Sequence, residues 1–223
     1  TLSPSSAASD VYKRQGYLKR LRDICDKHGI LLVFDEVITG FGRTGQAFAA
    51  QSFEVKPDLI TLAKALTNGA IPMGAVAVDE AVYDTVINAS KGGGPELFHG
   101  YTYSGHPVAC AAALASLDIY RDEDLFAKGA QLAPYFLECL SGLQGLPQVS
   151  DLRGYGLLSG IQLTPGDAPG AKGARVQRAL YDAGLHVKTT GDAIIFAPAL
   201  VTGRADLDAM FEVLRETLGR EVL

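Results

Sequence analysis

The spacing of hydrophobic residues changes early in the chain from a helical to a strand-like pattern. Four apolar positions recur at helical spacing before Gly29: Leu18, Leu21, Ile24 and Cys25. Gly29 supplies the residue type that commonly ends a helix. The run at 30–34 is apolar throughout, and its lack of polar alternation predicts a parallel strand buried on both faces. Asp35 and Glu36 follow where that strand should end, so we expect both acids to face a binding crevice.

Two more apolar runs and an Ala-rich helix continue this alternation. The run at 59–63 leads into Lys64, and a third run covers 74–78. A Gly-rich loop at 91–95 comes before a helix whose first turn accepts Pro107. The repeated alternation of strands and helices predicts an α/β fold.

The composition shifts after residue 125, which predicts a second, smaller domain. In order, the pattern predicts a helix through Leu132, Phe136 and Leu140, a strand at 157–163, a Gly/Pro-rich loop at 164–173, a helix at 176–183, strands around Val187 and Ile194, and a last helix with Leu207, Met210, Phe211, Leu214 and Leu218 on one face. The chain therefore divides into a tail at 1–15, part of a large domain at 16–125, and a C-terminal α+β domain at 126–223.

Composition and charge argue against several classes of partner. The 223 residues are 48% hydrophobic, which is enough to bury a substantial core. Twenty basic and 25 acidic residues leave a net charge of −5 without a Lys/Arg cluster, so nucleic acid and membrane surfaces are poor partners. The three cysteines are far apart and odd in number, and no stretch has the length of a transmembrane helix. These features favour a reducing cytoplasm.

The first fifteen residues look foreign to the rest of the chain. Residues 1–9 are rich in Ser and Ala and have no periodicity. Residues 10–15 resemble the translated end of an adapter used in sequencing-library preparation. A native flexible tail is the alternative. Either interpretation sets the segment apart from the fold, and the first one predicts that the chain begins mid-gene and lacks an N-terminal portion.

Asp35 and Lys64 are the two residues whose chemistry points to a cofactor. Each comes at the end of an apolar run, and pyridoxal phosphate needs both residue types. Its aldehyde requires a lysine amine for a Schiff base, and its ring nitrogen requires a carboxylate that keeps it protonated. A buried structural ion pair between Lys64 and Asp35 explains the same residues equally well. Spacing alone therefore leaves both interpretations open.

Three segments resemble the signature motifs of class III aminotransferases. They are DEVITGFGRTG at 35–45, PDLITLAKALTNG at 57–69, and HGYTYSGHP at 99–107. The resemblance covers residues 16 to about 219 and is strongest to the omega-amino acid–pyruvate (beta-alanine–pyruvate) branch. It implies fold type I of the pyridoxal-phosphate-dependent transferases, with a partial large domain and a small domain, and a homodimer. It also implies an amine donor such as beta-alanine, with pyruvate as the acceptor.

The resemblance assigns roles to five residues at the cofactor. It implies that Asp35 pairs with the pyridine nitrogen, that Val37 packs against the ring, and that Lys64 forms the Schiff base. Tyr101 and Thr102 match the segment that reaches the cofactor phosphate of the neighbouring subunit, through a hydroxyl and backbone amides at a helix N-terminus. An ordinary turn before a helix is the alternative for these two residues.

Substrate recognition is expected to involve Arg204. Relatives that bind an alpha-carboxylate have an arginine before a Phe-Ala-Pro-type segment, but Ile195 stands there in this chain, which argues against an ornithine-type enzyme. The omega-amino acid branch has an arginine after that segment, and Arg204 occupies the matching place. A guanidinium at this position could bind a carboxylate bidentately. An exposed arginine at the start of a helix is the alternative.

Other motifs in the chain carry little functional weight. The segment at 40–45 satisfies G-x-G-x-x-G but follows Asp35 and Glu36 rather than coming directly off a strand, so a dinucleotide site is not expected. The four histidines lack the spacing of a zinc site, and no metal is expected. Ser104 and Ser159 lack the context of a catalytic nucleophile.

Two rival functions remain open. One is a different class III reaction, such as transamination of a diamine or taurine, or an aminomutase. The other is a catalytically silent fragment that serves only in dimerisation. The second rival has weight because the family's Gly/Ser phosphate-binding loop and the aromatic residue that stacks on the cofactor belong to its N-terminal half, and we find neither motif in this chain.

Overall fold

The computed structural model describes residues 16–89, 97, 99 and 101–220. The predicted tail at 1–15 and the predicted Gly-rich loop at 91–95 lie outside these residues. The chain forms two compact units. Of the described residues, those within 16–41 and 47–123 form the first unit, and those within 42–46 and 124–220 form the second.

The first unit combines helices with a three-stranded sheet. In chain order its elements are α1 (Gly16–His28), β1 (Val33–Asp35), α2 (Ala49–Ser52), β2 (Leu59–Leu62), a 3-10 turn (Lys64–Leu66), β3 (Ala75–Val78), α3 (Glu80–Ala89) and α4 (Pro107–Asp122). The sheet order is β1-β2-β3, with β1 parallel and β3 antiparallel to the central strand. The predicted helix before Gly29 and the predicted helix start at Pro107 are confirmed.

The first predicted strand differs from expectation in length and burial. Instead of 30–34, the strand covers Val33–Asp35. Phe34, together with Leu32 just before the strand, packs against Cys25 and Val55. Val33, on the opposite face, is 52% exposed. The prediction of burial on both faces is therefore wrong for the described residues. The reason is that the described elements cover only the face of β1 that carries Phe34.

The second unit is an antiparallel sheet packed with helices. Its elements are α5 (Leu125–Ser141), β4 (Val149–Tyr155), β5 (Leu158–Leu163), α6 (Ala171–Asp182), β6 (Lys188–Thr190), β7 (Ala193–Phe196) and α7 (Arg204–Leu218). The sheet order is β4-β5-β7-β6. Three phenylalanines form the centre of its core, with ring centroids 5.4–5.7 Å apart: Phe136, Phe196 and Phe211.

Two features of the second unit were missed by the hydrophobic pattern. Strand β4 was not predicted because the exposed polar residues Ser150, Asp151 and Arg153 interrupt any regular apolar alternation along it. Helix α6 begins at Ala171, inside the predicted loop at 164–173, because the Asp192 carboxylate accepts hydrogen bonds from the backbone amides of Gly170 (3.1 Å) and Gly173 (2.8 Å). This distant side chain satisfies amides that a helix N-terminus leaves without partners.

Candidate active site

Asp35 ends β1 with one carboxylate oxygen held in place. Its Oδ1 accepts hydrogen bonds from the backbone amide of Val37 at 3.0 Å and from the Thr61 hydroxyl at 3.3 Å. Thr61 is the register partner of Asp35 on the neighbouring parallel strand. Among the described residues, no group donates to Oδ2. The structure therefore presents a carboxylate of defined orientation with one oxygen available to a ligand.

Glu36 points in a different direction from Asp35, contrary to the expectation that both acids face a crevice. Its side chain is 1% exposed and accepts three hydrogen bonds. These come from the Thr39 hydroxyl at 2.8 Å and from the backbone amides of Ala49 at 2.8 Å and Ala50 at 2.7 Å. Successive side chains of an extended segment alternate between faces, so only one of two adjacent acids can face outward. Glu36 thus anchors the turn after β1 to the start of α2.

Lys64 begins the 3-10 turn directly after β2 and has an unusual backbone conformation. Its φ angle is +47°, in the left-handed region that residues other than glycine seldom adopt. The side chain is exposed, and within the described part of the chain it makes no hydrogen bond or ion pair. The structural ion pair between Lys64 and Asp35 is therefore not formed. Such strained backbone clusters at functional sites.

The sheet brings Asp35 and Lys64 to the same edge. Strands β1 and β2 are parallel, so their carboxyl ends lie side by side. Asp35 lies opposite Thr61, and Lys64 comes three residues after Thr61. Ligands of sheets with parallel strands commonly bind outside these carboxyl ends. Thr61 orients Asp35 and comes three residues before Lys64, and the sequence pattern did not mark it.

Val37, Tyr101 and Thr102 lie in irregular segments of the first unit. Val37 is half-buried, and its amide orients Asp35. Tyr101 and Thr102 are exposed in the turn-rich stretch before α4. The Tyr101 ring stacks on His99, with centroids 3.5 Å apart and planes inclined by 9°. The predicted contact of this stretch with the phosphate of a second subunit stays a prediction.

Arg204 is the first residue of α7, in the second unit. Its guanidinium carbon lies 4.7 Å from the centre of the Tyr135 ring, a cation–π contact. The Tyr135 hydroxyl donates a hydrogen bond to Asp208, and this bond together with burial raises the pKa of Tyr135 to about 12. The exposed guanidinium therefore stacks on a tyrosine that is itself fixed by a carboxylate. The role of Arg204 in substrate binding stays a prediction.

The glycine-rich segment at 40–45 has a structural explanation. The Arg43 guanidinium donates hydrogen bonds to the carbonyls of Pro198 and Leu157 (3.2 Å for the latter), and its own carbonyl accepts the Leu157 amide at 2.9 Å. A Cβ at Gly42, where φ is +94°, would come within 2.5 Å of the Phe126 ring. Arg43 and Gly42 thus pack within the second unit. This structural role explains the glycine-rich motif, and a dinucleotide site is not needed to explain it.

The described residues contain neither a membrane-spanning helix nor a metal site. None of the helices there combines the length and hydrophobicity that crossing a membrane requires. Likewise, no group of three or more His, Cys, Asp or Glu side chains in that part of the chain is arranged to hold a metal ion. All three cysteines are free thiols.

Comparison with known proteins places these residues in a family. Residues 5–218 match the family described as aminotransferase class III. The chain is 50% identical over 208 residues to an omega-aminotransferase of Caulobacter vibrioides, an alignment that covers 92% of this chain and 47% of that protein. It is 46% identical over 216 residues to a beta-alanine–pyruvate aminotransferase of Pseudomonas aeruginosa, with 96% of this chain and 48% of that protein covered.

A solved structure shows the same fold. The omega transaminase of Pseudomonas jessenii, crystallised in complex with PMP, matches with a TM-score of 0.86 and 33% identity, over 91% of this chain and 46% of that chain. The chain spans about half the length of the curated relatives it matches. The expected α/β fold is confirmed as that of these transaminases, fold type I. The chain belongs to the class III aminotransferases, a family that depends on pyridoxal phosphate.

Proposed function

We propose that the protein transfers the amino group of an omega-amino acid or amine, of the beta-alanine type, to pyruvate. The observation that carries this proposal is the edge shared by Asp35 and Lys64, where an oriented carboxylate and an amine without a partner among the described residues lie at the ends of neighbouring parallel strands. The names of the omega-aminotransferase and beta-alanine–pyruvate relatives support the substrate class.

The residues at this edge fit pyridoxal phosphate. The ring nitrogen of the cofactor needs an acceptor, and Asp35 Oδ2 is without a donor among the described residues while Oδ1 is held by Val37 and Thr61. The aldehyde needs an amine, and Lys64 Nζ has no partner in the same part of the chain. When bound, the cofactor supplies an electron sink for the bonds at the amine-bearing carbon.

The chain's own groups then hold and move protons. The Asp35 carboxylate would stabilise a proton on the ring nitrogen, and the Thr61 hydroxyl keeps that carboxylate in one orientation. Lys64 Nζ would hold the cofactor covalently at rest. Once displaced by the substrate amine, Nζ would be free to carry a proton from the amine-bearing carbon to the cofactor, and in the half-reaction with pyruvate to carry a proton in the opposite direction. Val37 would pack against the ring.

Two further parts of the site belong to the same proposal. Tyr101 and Thr102 would bind the cofactor phosphate of a second copy of the chain, which makes the active protein a homodimer. We also propose that Arg204 binds the carboxylate of the substrate. Replacing Arg204 with Ala should then raise the KM for pyruvate about tenfold or more, as the loss of a charged hydrogen bond does. An unchanged KM together with lower stability would assign Arg204 to its packing on Tyr135 alone.

The domain organisation and location are likewise proposed. Residues 16–125 would form part of the large domain and 126–223 the small domain, with 1–15 as a tail outside both. The three free thiols are compatible with a reducing cytoplasm.

One rival function is favoured by a specific observation. Ile30 and Leu31 are each 55% exposed beside β1, so the first unit leaves apolar surface uncovered by the described elements. A chain of this kind could serve as a structural or dimerisation module without catalysis. Diamine or taurine transamination and an aminomutase reaction are rivals within the family, and profiling of amine donors separates them.

The experiment that tests the proposal locates the lysine that binds the cofactor. The chain is mixed with pyridoxal phosphate, its visible spectrum is recorded before and after beta-alanine and then pyruvate, and the cofactor is trapped with borohydride for peptide mass spectrometry. We expect the pyridoxyl group on Lys64 and its loss in Lys64→Ala. Lys128→Ala, at another exposed lysine, is the matched control.

Three outcomes are distinguishable. A band that beta-alanine bleaches and pyruvate restores supports the transaminase. A band on Lys64 that does not respond to beta-alanine supports the silent module. Trapping that is unaffected by Lys64→Ala contradicts the assignment of Lys64.

A further inference from the structure

The left-handed backbone at Lys64 requires neighbours that hold it in place. A residue with a Cβ adopts this conformation only where the surrounding structure over-determines it. The preceding Ala63 is extended, with φ of −162°, so the chain changes direction sharply at Lys64. The local bonds from Leu66 to Ala63 (3.1 Å) and from Thr67 to Lys64 (3.2 Å) close a single turn.

One side chain from a distant helix bonds directly to this turn. Tyr120 lies near the end of α4, is 6% exposed, and its hydroxyl donates a 2.6 Å hydrogen bond to the carbonyl of Ala65, the residue after Lys64. The hydroxyl oxygen also lies 3.1 Å from the Asn68 side-chain oxygen Oδ1. A phenol has one hydrogen, and the shorter of these two distances assigns that hydrogen to Ala65.

A second residue of α4 extends this contact. Ser116 lies one helical turn before Tyr120, so both side chains are on one face of the helix. The Asn68 side-chain nitrogen Nδ2 donates a hydrogen bond to the Ser116 hydroxyl at 3.4 Å. Asn68 itself has a φ of +51°. Helix α4 therefore contacts this loop at Ala65, the residue after the left-handed Lys64, and at Asn68, which is itself left-handed.

The ring of Tyr120 also reaches the segment that follows Asp35. It stacks on Phe41, with centroids 6.0 Å apart and planes inclined by 22°. Phe41 is itself left-handed, with φ of +60°, and its amide donates a hydrogen bond to Ala47 at 2.6 Å. One buried tyrosine thus contacts the loop that carries Lys64 through its hydroxyl and the loop after Asp35 through its ring.

We propose that Tyr120 is a positioning residue for Lys64. Its hydroxyl fixes the Ala65 carbonyl and thereby the direction in which Lys64 leaves the strand, while its ring ties this loop to the turn after Asp35. The inference rests on the proposed function, because it assigns a partner to the lysine that binds the cofactor. It does not require Tyr120 to touch the cofactor or the substrate.

The test compares Tyr120→Phe with Tyr181→Phe in the full chain. Phenylalanine keeps the ring and its stacking on Phe41 and removes only the hydroxyl. Tyr181 is an exposed tyrosine of the second unit and serves as the control. Two quantities are measured: hydrogen exchange of the peptide covering 62–71, and the share of pyridoxyl groups trapped on Lys64 relative to all other lysines after treatment with pyridoxal phosphate and borohydride.

We expect Tyr120→Phe to speed exchange in 62–71 and to lower the Lys64 share several-fold, whereas Tyr181→Phe leaves both unchanged. Unchanged exchange in Tyr120→Phe overturns the inference because the hydroxyl then does not hold the loop. Faster exchange with an unchanged Lys64 share also overturns it, since Tyr120 is then structural only. If the unaltered chain shows no preferential trapping on Lys64, the proposed function is refuted, and the inferred role of Tyr120 in that function fails with it.

Discussion

At the scale of residues, two adjacent acidic side chains have different roles in the candidate site. Asp35 and Glu36 carry the same functional group, yet Asp35 faces outward with one oxygen that accepts no hydrogen bond from the described residues, whereas Glu36 accepts hydrogen bonds from Thr39, Ala49 and Ala50. The difference follows from the alternation of side chains along extended backbone. Glu36 therefore holds the turn that presents Asp35.

Thr61 allows a residue-scale prediction about Asp35. Thr61→Val keeps the shape of the side chain and removes the hydroxyl that donates to Asp35 Oδ1. We expect about fivefold weaker binding of pyridoxal phosphate, since a net hydrogen bond is worth about 1 kcal/mol. Titration of the visible band with the cofactor measures this affinity. Thr85→Val, on the exposed face of α3, is the control, and equal affinities in the two variants would show that Thr61 does not orient Asp35.

At the scale of elements, hydrogen bonds and ion pairs from residues distant in sequence fix the position of three helices. The amides at the N-terminus of α2 are satisfied by Glu36, and those of α6 by Asp192. Helix α1 is joined to the start of β2 by the ion pair of Arg22 with Asp58 at 2.7 Å. These contacts place element ends at positions that hydrophobic periodicity does not mark.

Asp192 allows a prediction about pH. Hydrogen bonds from Gly173 and Gly170 lower the pKa of Asp192 below its ordinary value. A carboxyl with a lower pKa in the folded state stabilises the fold above its unfolded pKa of about 3.9, and this contribution is lost as the pH falls through the folded pKa. Asp192→Asn should therefore destabilise the second unit at pH 7 and reduce the difference in stability between pH 6 and pH 3.

The measurement is urea unfolding of the chain and its variants over this pH range. Asp84→Asn serves as the control, because Asp84 is exposed on α3 and accepts no hydrogen bond within the described residues. A pH dependence in Asp192→Asn as steep as that of the unaltered chain would contradict the assigned cause.

At the scale of the whole molecule, most of the fully buried large hydrophobic side chains among the described residues lie in the second unit. The second unit has a continuous core around Phe136, Phe196 and Phe211. The buried cluster around β1 in the first unit contains Cys25 and Leu32, together with Val55. Since burial of apolar area is the main source of stability, the two units are expected to differ in stability.

This difference predicts which of the two sheets opens more readily by local unfolding. Amides in β5 and β7 should exchange with solvent more slowly than those in β1 and β2, because local opening has the lowest free energy where buried contacts are few. Hydrogen exchange followed by mass spectrometry of the chain measures both rates. Equal protection of the two sheets would show that the first unit is stabilised by contacts other than its buried cluster.

The sequence by itself determined the order and type of most elements. The helix before Gly29, the strand before Lys64, the helix opened by Pro107 and the last helix all follow from apolar spacing and local breakers, which act over a few residues. The motifs at 35–45, 57–69 and 99–107 also indicated the family before any geometry was known.

The tertiary structure alone decided which groups at the site are available and what holds them. Thr61 beside Asp35, Tyr120 beneath the Lys64 turn and the capping of α6 by Asp192 each join residues far apart in the chain. No local pattern encodes such pairs, because hydrogen bonds and burial depend on which strands and helices become neighbours. The same reason explains why the sequence identified Asp35 and Lys64 by chemical type, whereas their common edge required the pairing of β1 with β2.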